Sequence, residues 1–264
     1  MSAANPRGAR GAVLLAATLA VAGALLLLAT TGARLAMAAV LLLNLAAAVV
    51  MVGAVSRAVT KRADGFALSA LNRYSLSRLQ MGVWTVAVVA ILLTISEWNL
   101  LAKASAETLA ITVPGPLVAV LGISFGSAVA APAILSLRAA ATDQATDQQL
   151  SAAQERDVSS AGLVAQGQVV GRSNADQASW TDLFTGEEAA TAGRVDLFKV
   201  QQALLTTVIV TVYLGSTLKL FAGAEPVTTM PPIGEGMAEL LAISHAGYLA
   251  YKAAPKPDAS RGTG

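Results

Sequence analysis

The chain has 264 residues, of which 55% are hydrophobic and only 13% charged, with a formal net charge of +2. A soluble domain usually carries about 25% charged residues and a disordered chain is more polar still, so this composition excludes both classes. The chain has no cysteine and one histidine, which excludes disulfides, thiolate metal sites and multi-histidine zinc sites. Its Ala, Leu and Val content suits helices rather than the strands of a membrane barrel. We therefore predict an all-α integral membrane protein.

Long uncharged runs follow one another along the chain, and a helix needs about 20 residues to cross a hydrocarbon core of about 30 Å. Five such runs are long or nearly long enough, namely 11–33, 35–56, 79–96, 108–137 and 200–218. Pro114 and Pro116 lie early in the fourth run, so we expect its helix to begin there. A sixth run, 240–251, is short, and beginning it at residue 233 adds Glu235 and Glu239, which would lie near the membrane surface. The pattern predicts about six transmembrane helices.

The basic residues predict the orientation of these helices. With six crossings, the polar segments on one side hold fifteen Lys and Arg residues, and those on the other side hold Arg34, Lys103 and Lys219. Because basic residues are retained on the cytoplasmic side, we expect both termini in the cytoplasm and the protein in the plasma membrane. Arg7 and Arg10 before the first run would also fit a signal peptide, but that run is longer than a typical signal sequence and a second follows almost at once.

Two blocks of sequence recur in the same order. Residues 75–85 (SLSRLQMGVWT) match 196–206 (DLFKVQQALLT), and residues 121–126 (LGISFG) match 241–246 (LAISHA). Gln80 lies 44 residues before Ser124, and Gln201 lies 43 before Ser244. This spacing predicts a parallel internal repeat of two helical hairpins, both beginning on the cytoplasmic side.

The repeat divides the chain into five predicted regions. They are an N-terminal two-helix membrane anchor (1–62), the first repeat hairpin (63–137), a flexible polar cytoplasmic linker (138–178), the second repeat hairpin (179–253) and a disordered cytoplasmic tail (254–264). The blocks S-L-S-R-x-Q-M-x-x-W-T and L-x-G-I-S at 75–85 and 121–124 resemble a group of bacterial multi-pass membrane proteins of unassigned function. That resemblance implies a duplicated hairpin in the membrane and assigns no activity to any residue.

Polar and small residues inside the predicted helices are the candidates for a functional role. Gln80 and Gln201 would face a partner helix, since an amide in lipid needs a hydrogen-bond partner, or would line a polar path with Ser124 and Ser244. His245 could carry a proton or contact a ligand, although a hydrogen bond to a neighbouring helix is the simpler role.

Glycines and basic residues of the repeat have expected roles as well. Gly122 and Gly126 form a small-xxx-small pair that would allow close helix packing. Arg78 and Lys199 would extend toward the lipid head groups at the cytoplasmic interface.

The long polar stretch 139–195 has eight acidic residues against three arginines. A solvated, partly disordered connector is the simpler interpretation. The alternatives are a docking surface around Trp180, Leu183 and Phe184, or an interfacial segment before the fifth helix. The basic stretch 57–78 suits anionic lipids and is too sparse for nucleic acid.

No nucleophile–base pair, phosphate-binding loop or metal-binding motif is visible in the sequence. We therefore predict no enzyme activity, no catalytic residue and no bound cofactor or metal. The first functional hypothesis is a membrane anchor, scaffold or regulatory subunit for a membrane or cytoplasmic partner protein. The alternatives are a channel or pore formed by a homo-oligomer and a small-solute transporter.

Overall fold

The structure is a computed structural model that describes residues 33–101, 110–140, 145, 147–157, 162–221 and 225–254. It is about 70% helical. The described part contains the α-helices α1 (Ala33–Thr60), α2 (Leu76–Leu101), α3 (Gly115–Ala139), α4 (Asp147–Arg156), α5 (Leu197–Leu220) and α6 (Glu235–Ala253). Two short strands, β1 (Val164–Gln166) and β2 (Val169–Gly171), form an antiparallel hairpin. The chain is therefore mostly helical.

Within the described ranges, four helices are long and apolar enough to cross a membrane, namely α1, α2, α3 and α5. The predicted spans 35–56, 79–96, 108–137 and 200–218 each fall on one of them, which is compatible with a multi-pass membrane protein. Helix α3 begins at Gly115, beside the two prolines expected to mark its start. Helix α6 is not among the four; it contains Glu235, Glu239 and Lys252. The predicted first span 11–33 and the tail 254–264 lie, apart from one residue each, outside the described residues.

The chain divides into two compact units. Unit 1 comprises Met1–Phe66, Gly82–Leu121 and Thr207–Ala238, and unit 2 comprises Ala67–Met81, Gly122–Thr206 and Glu239–Gly264. The boundary between the units therefore falls inside four helices, and each of α2, α3, α5 and α6 has one segment in unit 1 and one in unit 2.

Unit 1 packs apolar helix faces that are held together by a few buried polar contacts. On α1, the Asn44 side chain is 1% exposed, and its Nδ2 donates to Thr94 Oγ1 at 3.0 Å and to Glu97 Oε2 at 2.9 Å on α2. The Asn99 side chain pairs with the backbone of Val227, donating at 2.9 Å and accepting at 2.7 Å. Such contacts fix the rotation of apolar helices that could otherwise slide on one another.

Unit 2 contains a small folded region between α3 and α5, here called the loop module (the described residues between 145 and 195). It consists of α4, the β1–β2 hairpin and two 3-10 turns, Ala175–Gln177 and Trp180–Leu183. Gly167 occupies the first turn position of the hairpin with φ 60°, a conformation that two-residue hairpins commonly require of glycine. The second 3-10 turn begins with a capping box between Ser179 and Asp182.

The loop module has its own apolar core, which the sequence analysis did not predict. The buried residues of this core are Ala153, Leu163, Val170, Ala189 and Ala192. A second cluster joins β2 to the helical part of unit 2 and contains Leu71, Leu135 and Val169. The described residues of the predicted linker 138–178 thus carry secondary structure and contribute Ala153, Leu163 and Val170 to this core. Three of the five core residues are alanines, whose small side chains give little hydropathy contrast in a sequence.

Candidate functional site

Seven charged side chains of unit 2 are buried together at the base of the loop module. This charge cluster consists of Arg73, Asp157, Arg172, Asp182, Glu187, Lys199 and Lys252, with side-chain exposures between 1% and 9%. Four members lie in the loop module, and the others lie before α2, in the first turn of α5 and in the last turn of α6. Charges are rarely buried unless they are paired, so each member needs its neighbours.

Asp182 joins two arginines. Its Oδ1 accepts from Arg73 Nε at 3.2 Å and from Arg172 Nη2 at 2.9 Å, while its Oδ2 accepts from Arg172 Nε at 3.3 Å. Arg172 also forks onto Asp157 through Nη1 at 2.7 Å. Burial alone would lower the pKa of Arg172, but the two carboxylates outweigh it and raise that pKa. The arginine therefore stays charged and holds α4, β2 and the second 3-10 turn together.

Arg73 anchors the segment before α2 to this network. In addition to Asp182, its guanidinium donates to the Gly186 carbonyl and to Thr185 Oγ1, each at 2.8 Å. The same segment also makes a backbone hydrogen bond, in which the N–H of Arg172 donates to the carbonyl oxygen of Leu71 at 2.9 Å. A planar guanidinium can meet three acceptors in fixed directions, which a lysine could not reproduce.

Glu187 lies between two lysines. Its Oε1 is 3.3 Å from Lys199 Nζ, and its Oε2 forms an ion pair with Lys252 Nζ. Burial alone would raise the pKa of Glu187, but the ammonium groups of Lys199 and Lys252 outweigh it and hold that pKa well below its ordinary value of 4.5. The Tyr248 hydroxyl completes the arrangement, accepting from Lys252 Nζ at 2.7 Å. One carboxylate thus links the loop module to α5 and to α6.

Lys199 does not extend to a head group as the sequence suggested. Its side chain is 1% exposed, and its ammonium also donates to the carbonyls of Thr185 at 2.7 Å and Asp182 at 3.4 Å. The reason is that a carboxylate and two carbonyls of the loop module lie within its reach. Arg78 likewise bonds within the chain, donating to the Leu68 carbonyl at 2.8 Å.

A cleft open to solvent, of about 280 Å³, adjoins the charge cluster. Its lining includes Glu187, Glu188, Asp196, Tyr251 and Lys252. In the described part of the chain no group of three or more His, Cys, Asp or Glu side chains is arranged to hold a metal ion. The cleft is polar, and Lys252, the one cation among its described lining residues, is already paired with Glu187.

Of the two predicted glutamines, only Gln80 is buried. Its Nε2 donates to Thr206 Oγ1 at 2.7 Å and to the Gln202 carbonyl at 3.2 Å, which ties α2 to α5. Gln201 is exposed, whereas the neighbouring Gln202 is 0% exposed. Neither amide atom of Gln202, nor Gln80 Oε1, has a hydrogen-bond partner among the described residues. Sequence identity selected Gln201, but the helical spacing of Lys199, Gln202 and Thr206 identifies Gln202 as the inward amide.

The predicted residues of α3 and α6 form a second polar group. Ser124, Ser244 and His245 are all buried, and His245 Nδ1 is hydrogen-bonded to Ser127 Oγ at 2.6 Å. Ser127 lies one turn from Ser124 and was not predicted. Ser124 Oγ, Ser244 Oγ and His245 Nε2 have no hydrogen-bond partner within the described chain. The histidine thus makes the helix contact expected as its simpler role and keeps one ring nitrogen available.

Gly122 and Gly126 are exposed, and a Cβ placed on either would meet no atom within 4 Å. The close helix packing expected from this pair is therefore not formed within the described residues. The structure brings Ser124, Ser244 and His245 into the interior of unit 2, and it leaves the two glycines on the outside.

The chain matches no family model, no curated protein and no solved structure.

Proposed function

We propose that this protein is an integral membrane scaffold that holds the loop module at the cytoplasmic ends of its helices for a partner protein. The charge cluster is the observation that carries the proposal. It joins Glu187 of the loop module to Lys199 and Lys252 on two helices, and Asp182 to Arg73 before a third.

A flexible connector between two hairpins has no need of buried ions, because any chain of sufficient length would serve. Burying charges costs several kcal/mol per ion unless geometry and hydrogen bonds compensate. This free-energy cost is consistent with a loop module whose surface must keep one position relative to the helices. A pre-positioned surface binds a partner without the ordering cost that a flexible segment incurs.

The topology that we propose has six transmembrane helices in a bacterial plasma membrane, with both termini in the cytoplasm. Fifteen of the eighteen Lys and Arg residues lie in the polar segments that this topology places in the cytoplasm, which supports it. The proposed parallel repeat is supported by the two blocks and by the burial of both Ser124 and Ser244. A phosphatase or fluorescent-protein fusion after Gly264 tests the orientation, and activity of the phosphatase outside the cell would contradict it.

Photo-crosslinking in the native membrane tests the scaffold. A photoreactive amino acid replaces Ser151, an exposed residue of α4, in the full-length protein and in two variants. Glu187→Gln is expected to loosen the loop module. The matched control is Glu155→Gln, which removes an exposed carboxylate from α4, the helix that also holds Ser151. We expect a discrete adduct that weakens several-fold in Glu187→Gln and stays unchanged in Glu155→Gln. Diffuse adducts without a discrete one would contradict a positioned docking surface. A discrete adduct of equal intensity in both variants would contradict it as well.

A second candidate, a polar pore formed by an oligomer, is favoured by the buried unpartnered polar atoms. Gln202, Ser124, Ser244 and His245 all place such atoms inside unit 2. Buried polar groups are normally hydrogen-bonded, and groups that lack protein partners commonly bind water or a polar ligand.

Ion flux into proteoliposomes distinguishes the two candidates. The pore predicts flux in the purified protein, a several-fold loss in Gln202→Leu and no change in Gln201→Leu, whose side chain is exposed. The scaffold predicts no flux above that of empty vesicles in any of the three proteins.

A further inference from the structure

An exposed apolar patch lies beside the charge cluster where the loop module meets α5. The apolar patch consists of Trp180, Phe184, Val195 and Leu197, with exposures of 58%, 38%, 66% and 74%. Val164 of β1 is exposed as well, at 44%, but the four patch residues lie on two segments that run side by side, and grouped exposed apolar residues mark interaction sites. The question is what covers this one.

The patch is held in place by the backbone and by one aromatic stack. Asp196 N donates to the Phe184 carbonyl at 2.8 Å, and Thr185 and Val195 form an antiparallel bridge, so the Phe184 and Val195 segments run side by side. The ring of Trp180 stacks on the buried Tyr74 with centroids 4.4 Å apart and planes inclined by 10°. One face of the indole is thereby fixed while the other stays exposed.

The patch is continuous with a helix that is apolar enough to cross a membrane. Leu197 is both a member of the patch and the first residue of α5, and Leu204 two turns later is 63% exposed on the same helix. Trp is enriched at the membrane–water interface, where an amphipathic ring lies at head-group level. Arg194 is exposed next to Val195, and a basic residue is attracted to an anionic membrane surface.

We propose that the apolar patch lies in the head-group layer of the bilayer, with Trp180 and Phe184 inserted and Arg194 facing anionic lipid phosphates. The loop module then rests on the membrane, and a partner protein binds its remaining water-exposed side. This inference rests on the proposed crossing of the bilayer by α5.

Spin labels test the proposal directly, because the chain has no cysteine and needs no background substitutions. Single variants Phe184→Cys and Val195→Cys report on the patch. Leu204→Cys on α5 is the lipid reference, and Ser151→Cys, exposed on α4, is the water reference. Each full-length protein is labelled, reconstituted into vesicles of phosphatidylcholine and phosphatidylglycerol, and measured for collisions with oxygen and with a water-soluble nickel chelate.

We expect the oxygen-to-nickel accessibility ratio at 184 and 195 to exceed the ratio at 151 several-fold and to stay below that at 204. A ratio at both patch positions equal to that at 151 would overturn the proposal, and if 204 remained lipid-like the membrane crossing of α5 would stand. A water-like ratio at 204 as well would overturn both. Using two patch positions guards against a local disturbance by either label.

Discussion

Replacing Glu187 with glutamine should destabilise the protein more than any exposed substitution in the loop module. The change removes the carboxylate that faces Lys199 and Lys252 and leaves both ammonium groups buried. Breaking a buried ion pair typically costs about 3–5 kcal/mol because the remaining charge loses its partner. Because two buried ammonium groups lose the carboxylate that they share, the loss of stability should exceed the loss caused by removing one neutral hydrogen bond.

The structure places the expected cost at the lower end of that range. Lys199 Nζ keeps the carbonyls of Thr185 and Asp182 as acceptors, and Lys252 Nζ keeps the Tyr248 hydroxyl. We therefore expect a loss of about 3 kcal/mol, which for chains of 150–250 residues corresponds to a fall in Tm of about 6–12 °C. Thermal unfolding of the detergent-purified protein, followed by circular dichroism, measures it.

Two further variants separate the ion-pair effect from a general effect of mutation. Glu155→Gln on the exposed face of α4 should leave Tm within about 1–2 °C of the original protein. Adding Lys199→Met to Glu187→Gln removes one of the two unpaired cations, so the double variant should lose less than the sum of the single losses. A Glu187→Gln protein that unfolds at the same temperature as Glu155→Gln would refute the ion-pair reasoning.

Three other results are expected. Because the folded-state pKa of Glu187 lies below its unfolded value of 4.5, its ion pairs stabilise the protein above that pH and are lost as the pH falls; the Tm difference between the original protein and Glu187→Gln should therefore shrink as both are titrated below pH 4.5. Gly167→Ala should cost about 2 kcal/mol more than Gly162→Ala, because both glycines have positive φ but only at Gly167 would a Cβ lie 2.3 Å from a backbone oxygen; denaturant unfolding of both variants compares them. Asn44→Leu, which removes two donated bonds to α2, should cost about 1 kcal/mol in SDS unfolding, whereas Val49→Ala on the exposed face of α1 should cost less.

The sequence was sufficient to locate the long apolar helices. A bilayer imposes a minimum length on uncharged runs, and four of the predicted runs, including 79–96 and 200–218, coincide with α2 and α5. The weakest of the described runs, 240–251, lies in a helix that begins earlier, at Glu235, and includes Glu239. Its charged beginning dilutes the hydropathy signal, so length alone could not determine whether it crosses.

Which polar side chains face inward was harder to predict, because it depends on rotation about each helix axis. Gln201 and Gln202 are adjacent and chemically identical, yet only Gln202 is buried. Matching the two repeat blocks by identity gave the wrong amide for the helix interior. The spacing of buried positions along α5, from Lys199 through Gln202 to Thr206, could have distinguished them.

The charge cluster could not be predicted from local sequence patterns. Arg73 and Asp182 are 109 residues apart, and nothing near either residue identifies the other as its partner. The acidic, alanine-rich stretch around Asp157 and Arg172 has the composition of a solvated connector, because charged residues are exposed in most proteins. Only the fold places these groups where desolvation forces them to pair.

In the proposed topology, the location of the charge cluster beside the bilayer suggests why ions as well as apolar side chains hold the loop module to the helices. Beside a bilayer, an apolar contact surface has a competitor, since lipid chains accept Leu or Val side chains as readily as another helix does. A buried carboxylate such as Glu187 has no such alternative, because it is stable only where Lys199 and Lys252 meet it. Ion pairs would therefore define one position for the module even if the apolar patch around Trp180 contacts lipid. On this reasoning, Glu187→Gln should shift the accessibility of a label at Phe184, whereas Glu155→Gln should not.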